Sequence, residues 1–176
     1  MLKSACSDHP IGKSWLEAWR NVAETCGLIY RPGWSKDSYF VGAVLAAIGY
    51  WIVLSVAGAV SPQRGTGSDS LVVLSIVLWQ PLCEEVFFRG VLQGILLEET
   101  GRRLLFGPLT LANVVASVAF ASAHLPTHPL LWVGGIFVVS LAFGFLRERL
   151  GSLYPLALLH MYYNGGYLLL TGWMQT

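Results

Sequence analysis

The stretch PLCEEVFFRG, residues 81–90, places two adjacent glutamates and an arginine inside an otherwise apolar run over residues 71–97. A run of about 20 mostly apolar residues is long enough to cross a bilayer as a helix. Each charged group at the bilayer centre costs about 2.5–3.5 kcal/mol on insertion scales, so such groups face the protein interior or a wet cavity. The stretch therefore predicts a membrane helix that carries a functional site.

The composition is that of a membrane protein. The chain has 176 residues, of which 55% are hydrophobic and 12% are charged, about half the charged fraction of a soluble domain. A formal net charge of +1 gives no broad basic surface for nucleic acid. Cys6, Cys26 and Cys83 have no paired spacing, which argues against a disulfide framework or a structural zinc site. The length fits one domain.

Five apolar segments are candidates for membrane spans, and they indicate an all-α, polytopic helical bundle with about five transmembrane helices. The candidates are residues 39–60, 71–97, 104–125, 130–146 and 153–173. The third contains Gly107 and Pro108, so its regular helix is expected to begin near Leu109. The glycine pairs at 134–135 and 165–166 are expected to allow close helix approach, or to flank a substrate groove.

Residues 1–38 differ from the rest and are interpreted as a cytoplasmic or interfacial segment that precedes a transmembrane domain over 39–176. Apolar residues recur there at helical spacing, with charged residues between them: Ile11, Trp15, Trp19, Val22, Cys26 and Ile29. This pattern is typical of an amphipathic helix that lies in the membrane interface. A helix that packs on the protein's own cytoplasmic face has the same pattern, and both readings stay open. No cleaved signal peptide is expected.

The distribution of basic residues predicts the topology. With the N-terminus inside, every Lys and Arg except Arg64 and Arg89 falls in a cytoplasmic part of the chain. Arg64 lies in a predicted outer loop and Arg89 lies within a span. Because Lys and Arg accumulate on the cytoplasmic side, we expect a cytoplasmic N-terminus and an external C-terminus.

Helical spacing separates the three charges of the opening stretch. Glu85 and Arg89 are four residues apart, so they share a helix face and can form an ion pair. Glu84 lies about 100° around the helix from Glu85 and is left free for chemistry. In the alternative, all three side chains form one structural ion network.

Two other spans offer polar faces at the same spacing. Phe120 and His124 are four residues apart near the outer end of the third span, and His160 and Asn164 are four apart in the fifth. Either histidine alone is equally well read as a hydrogen-bonded core residue. Together with the glutamates, these faces can converge in a bundle core, where sites are commonly built.

The chemistry of these side chains points to hydrolysis. A glutamate beside a histidine can hold and deprotonate a water molecule. A second histidine and an asparagine amide can donate hydrogen bonds to a developing oxyanion. Water activation combined with oxyanion stabilisation is what the hydrolysis of an amide bond requires.

Three motifs carry a resemblance to a known family. EEVFFRG resembles the EExxxR motif of the CAAX protease and bacteriocin-processing (CPBP) family of intramembrane proteases, which includes Rce1-type prenyl-protein endopeptidases. FASAH is similar to the FxxxH motif of that family, and HMYYN is similar to its HxxxN motif. The motifs occur in the family's order between Glu84 and Asn164.

The resemblance implies roles for the site residues. Glu84 would be the catalytic glutamate and would act on water with His124, while His160 and Asn164 would form the oxyanion site. The supporting residues would be Glu85, Arg89 and Phe120.

The resemblance also implies a substrate class and a location. The substrate would be a membrane-anchored protein or peptide. Its cleavage would need no cofactor, and nucleic acid would not be a partner. An outward-facing site would suit the C-terminal processing of exported proteins, as in the family's myxosortase-like branch, in a bacterial inner membrane.

Three other functions stay open. Glu84, His124 and His160 form a two-histidine, one-carboxylate set that could hold a catalytic zinc with one open position. A non-enzymatic bacteriocin-immunity membrane protein could keep the same residues for stability. A transporter with a proton relay is disfavoured because no inverted repeat is visible.

The remaining candidate side chains have less specific interpretations. Cys83 adjoins Glu84 but is interpreted as a small hydrophobic residue and not as a nucleophile. His9 and His128 lie in polar segments and are expected to be exposed.

Overall fold

The structure, a computed structural model, describes residues 10–56 and 70–171 of the chain. Within these ranges it contains six helices and one β-hairpin, in the order α1 Pro10–Thr25, α2 Ser38–Val56, α3 Ser70–Thr100, β1 Leu104–Phe106, β2 Leu109–Thr110, α4 Leu111–Ser122, α5 Leu130–Leu150 and α6 Tyr154–Thr171. The predicted helical bundle is confirmed. Cys6, His9 and the predicted outer loop with Arg64 lie outside the described residues.

Among the described residues, two helices are long and apolar enough to cross a membrane, namely α3 with 31 residues and α5 with 21 residues. The first and fifth predicted spans correspond to α2, with 19 residues, and α6, with 18 residues. Large apolar side chains are exposed along these helices. Exposed apolar surfaces of this kind are expected for a helical bundle surrounded by lipid.

The regular helix of the third candidate span was expected to begin near Leu109, and α4 begins at Leu111. Residues 104–110 before it form a β-hairpin that was not predicted. Gly107 has φ +54° at the turn, a conformation that glycine adopts without strain, and Pro108 cannot donate a helical hydrogen bond. The helix that follows, α4, has only 12 residues. At 1.5 Å per residue it is about 18 Å long, well short of the ~30 Å hydrocarbon layer.

The hydrophobic core lies between α2, α5 and α6. Its buried members are Phe40, Phe143, Leu146, Leu156 and Leu159. A fully buried side chain of this size contributes about 1.5–3 kcal/mol in water. This packing holds α5 and α6 together, and these helices carry part of the site described below.

The segment after α1 is inserted against α3. A Cβ atom at Gly94 would lie 2.6 Å from the Thr25 carbonyl oxygen, and one at Gly90 would lie 3.3 Å from that of Cys26. The Gly27 carbonyl accepts a hydrogen bond from the Leu153 amide at 2.8 Å. Gly90 and Gly94 form a GxxxG pattern that permits this approach, so the N-terminal segment is joined to α3 one turn beyond Arg89.

The apolar face of α1 does not pack on the bundle. Trp15 and Trp19 are 63% and 68% exposed. The two interpretations of residues 1–38, an interfacial helix and a helix packed on the protein's own face, both stay predictions. The interfacial interpretation agrees with the exposure.

The two glycine pairs behave differently. Apart from their own helix, no part of the chain that the structure describes comes within 4 Å of Cβ positions built on Gly134 and Gly135, so these residues mediate no close contact with another described helix. They line a shallow apolar groove on the first turns of α5. At Gly166, in contrast, the Trp51 side chain occupies the space of a Cβ atom, so close approach of α2 and α6 is confirmed there.

Candidate active site

Pro81, in the middle of α3, leaves a backbone carbonyl free to accept a hydrogen bond from a site residue. Residues Ser75–Trp79 are π-helical, and the Gln80 amide donates to the Ser75 carbonyl, five residues back. The next donor in that pattern would be Pro81, which has no N–H. The Ile76 carbonyl, which such a donor would reach, accepts a hydrogen bond from the Asn164 Nδ2 at 3.1 Å. Asn164 thereby ties α6 to α3 and keeps a second amide N–H for another acceptor.

A second π-helical segment, Glu85–Leu92, carries the charged motif. Glu85 and Arg89 are 0% and 1% exposed, and Arg89 Nε lies 3.7 Å from Glu85 Oε2. The pairing expected from their spacing is therefore observed. π-helical segments within α-helices are often found at functional sites, but nothing in the residue spacing predicted this one.

His160 lies between the two glutamates. Its Nδ1 is 2.9 Å from Glu85 Oε1, which is a hydrogen bond, and its Nε2 is 3.7 Å from Glu84 Oε2. Because the carboxylate of Glu85 can only accept, Nδ1 carries the hydrogen of this bond. The Glu84 side chain is 18% exposed, whereas that of Glu85 is fully buried. The more accessible of the two carboxylates is thus Glu84.

Arg89 is held from two further sides. Its Nη2 donates to the Ser140 hydroxyl at 3.0 Å, which joins α3 to α5. Its guanidinium carbon lies 4.4 Å from the centre of the Phe120 ring, a favourable cation–π arrangement. Ser140 is buried and was missed by the sequence interpretation, since a single serine in an apolar span has no distinctive spacing.

Phe120 packs against both histidines of the site. Its ring centre is 4.9 Å from that of His124 and 6.0 Å from that of His160. The His124 Nδ1 is 2.9 Å from the Phe120 carbonyl oxygen, which fixes Nδ1 as the donor. His128, expected to be exposed, is instead partly buried with its ring 5.7 Å from that of His124. The structure thus brings the polar faces of α3, α4 and α6 together around Phe120.

A second buried polar cluster lies two turns along α3 and was not predicted. Gln93 Nε2 donates to Glu148 Oε1 at 2.9 Å, and the Thr110 hydroxyl donates to the same oxygen at 2.6 Å. Thr110 also accepts the Asn113 amide hydrogen and caps α4. This cluster joins α3, α5 and the start of α4, so it sets where α4 begins.

The metal-binding and nucleophile alternatives concern the set Glu84, His124 and His160 and the thiol of Cys83. Among the described residues no three His, Cys, Asp or Glu side chains converge in a metal-binding arrangement, and this includes the set Glu84, His124 and His160. Cys83 is an exposed free thiol on α3.

The comparisons with known proteins follow the same residues. A profile of the family described as type II CAAX prenyl endopeptidase Rce1-like matches residues 66–166, which is more than half of the chain and includes all three motifs. No curated protein and no solved structure matches the chain significantly. The members of this family are proteases that act in membranes. The protein described here, a helical membrane protein with the EExxxR, FxxxH and HxxxN residues gathered at one site, therefore belongs to the Rce1-like family of type II CAAX prenyl endopeptidases.

Proposed function

We propose that the protein is an intramembrane endopeptidase in which Glu84 activates water to cleave a peptide bond of a membrane-anchored substrate. The observation that carries this proposal is the unequal environment of the two glutamates. Glu85 is fully buried, forms an ion pair with Arg89 and accepts a hydrogen bond from His160, whereas Glu84 is partly exposed and 3.7 Å from His160 Nε2. A distance of 3.7 Å is too long for a hydrogen bond, so a carboxylate oxygen of Glu84 is available to a water molecule.

The proposed histidine roles follow from charge and position. Glu84 and Glu85 carry two negative charges and Arg89 one positive charge, so an imidazolium at His160 makes the cluster neutral. A neutral cluster lowers the cost of placing charges inside a membrane protein. In this form Nδ1–H donates to Glu85, and Nε2–H is directed toward Glu84 and the substrate oxygen. His124 is then assigned to the water as the partner of Glu84, as the family resemblance implies.

The reaction can be written with every proton placed. The Glu84 carboxylate takes a proton from water, and the water oxygen forms a bond to the carbonyl carbon of the peptide. The carbonyl oxygen becomes an oxyanion that accepts hydrogen bonds from His160 Nε2–H and from the second N–H of Asn164. As the C–N bond breaks, the proton on Glu84 passes to the departing amine, and the carboxylate is restored.

A chelation experiment tests this scheme against the zinc alternative. Protein reconstituted in liposomes is treated with a chelator and then assayed for cleavage of a prenylated CAAX-type peptide. A second substrate for the assay can be found by comparing the C-terminal peptides of membrane proteins from cells with and without this protein. We expect cleavage to persist and purified protein to hold no stoichiometric metal. One zinc per chain, removed together with activity and restored with it, would overturn the scheme in favour of zinc held by Glu84, His124 and His160.

The orientation of the site defines the proposed substrate more narrowly. The Lys and Arg distribution predicts an external C-terminus, and with this topology the segment after α4 that contains His124 would lie toward the outer side, so the site would open outward. An outward-facing site is suited to cleaving exported proteins near a C-terminal membrane anchor, as in the myxosortase-like branch. The protein would then lie in a bacterial inner membrane.

Reporter fusions test the orientation. A fusion after Thr176 is expected to read as external and one within residues 98–103 as cytoplasmic, because the Lys and Arg distribution strongly favours this topology. A cytoplasmic reading of the C-terminal fusion would remove the support for exported substrates and favour cytoplasmic prenyl-protein processing.

A further inference from the structure

The β1–β2 hairpin exposes apolar side chains that nothing in the described part of the protein covers. Leu104, Leu105 and Phe106 are 59%, 51% and 82% exposed. Successive side chains of a strand point to opposite faces, so exposure at all three positions means that neither face of β1 packs on the bundle. We propose that the tip of this hairpin inserts into the interfacial region of the bilayer leaflet on its own side of the protein.

The surroundings of the hairpin indicate that lipid covers its exposed side chains. The hairpin begins four residues after α3 ends at Thr100, and α3 exposes the apolar side chain of Ile95 near that end. The exposed apolar face of α1 belongs to the same end of the bundle, because Thr25 contacts Gly94 and donates a hydrogen bond to Glu98. Two separate apolar elements at one end of a membrane protein are consistent with a single lipid surface that covers both.

The backbone determines the depth of insertion. Open strand edges do not occur in the hydrocarbon core because their N–H and C=O groups would lack partners. Two paired strands of two to three residues leave such edges, so the hairpin lies at the headgroup boundary and only its side chains reach the acyl region. Arg102 and Arg103, both exposed just before β1, can extend to the headgroups from this depth.

This placement bears on the catalytic site through α4. The Leu111 amide donates to the Arg103 carbonyl at 2.8 Å, so the hairpin closes directly onto the first residue of α4, the helix that carries Phe120 and precedes His124. Since α4 is about 12 Å shorter than the hydrocarbon layer, an interfacial hairpin sets the height at which α4 begins.

Spin-label accessibility in nanodiscs tests the proposal. A nitroxide is attached at Phe106→Cys, with Glu99→Cys, an exposed position on the last turn of α3, as the control. The native cysteines are replaced by Ser in the full chain, and peptide cleavage confirms that each labelled protein is folded. We expect the ratio of collisions with oxygen to collisions with a water-soluble nickel complex to be several-fold higher at position 106 than at 99. A second label at Leu104→Cys should give an intermediate ratio.

Two results would overturn the proposal. Equal ratios at positions 106 and 99 would place the hairpin in water. Low accessibility to both reagents, with dipolar broadening between labels, would show that a second copy of the chain covers the hairpin.

Discussion

Replacement of Glu84 by Gln is expected to lower the rate of peptide cleavage by about 10²-fold or more, which is the low end of the contribution of a general base. The amide has nearly the volume of the carboxylate but cannot accept the proton of water. The fold should survive because the Glu84 side chain is 18% exposed and makes only a 3.7 Å contact with His160. Cleavage is measured in liposomes, and thermal unfolding is measured in detergent.

Glu99→Gln is the matched control for this variant. It makes the same change on the same helix at an exposed position outside the site, and both activity and stability should stay close to those of the unaltered protein. If Glu84→Gln kept most of the activity while folded, Glu84 could not be the base and the proposed mechanism would fail.

Replacement of Glu85 by Gln is expected to act first on stability. Glu85 is fully buried, and its loss of charge leaves Arg89 as an unpaired buried cation and removes the charged acceptor of His160 Nδ1. Breaking such a buried pair costs about 3–5 kcal/mol in soluble proteins. We therefore expect poor expression and a lowered unfolding temperature in detergent, with activity lost as a consequence.

Two further variants separate the effect of an unpaired Arg89 charge from the effect of losing one Arg89 hydrogen bond. Glu85→Gln combined with Arg89→Met should recover part of the stability, because no unpaired cation remains, but should not recover activity. Ser140→Ala removes only one hydrogen bond of Arg89 and should cost about 1–3 kcal/mol, the penalty for a buried unsatisfied donor. If Glu85→Gln proved stable but inactive while Glu84→Gln unfolded, the roles assigned to the two glutamates would be reversed.

The features that the sequence predicted correctly depend on order along one helix. The apolar runs predicted the helical bundle, and four-residue spacing predicted the contact of Glu85 with Arg89 that the structure contains. Spacing also related Phe120 to His124, whose rings are 4.9 Å apart. The roles of Glu85 and Arg89 stay predictions that the variants above test, and the roles of Phe120 and His124 stay predictions.

Two local features were not predicted from the sequence, namely the β-hairpin over residues 104–110 and the packing around Gly134 and Gly135. Residues 104–110 are apolar enough for a span, yet Gly107 and Pro108 turn them into a hairpin. No other described helix makes the expected close contact at Gly134 and Gly135. In both places average hydropathy was compatible with a membrane helix, and the turn or the position of the neighbouring helices decided the outcome.

The sequence by itself determined that this is a helical membrane protein with charges concentrated in one span, because hydropathy and helical periodicity are properties of a single segment. Only the tertiary structure decided that His160 hydrogen-bonds to Glu85 and not to Glu84, that Ser140 holds Arg89, and that Asn164 satisfies the Ile76 carbonyl. Each of these contacts joins two helices that are far apart in the chain. Spacing along a helix defines the direction of a side chain but not its distance to another helix, and that distance is set by how the whole bundle packs.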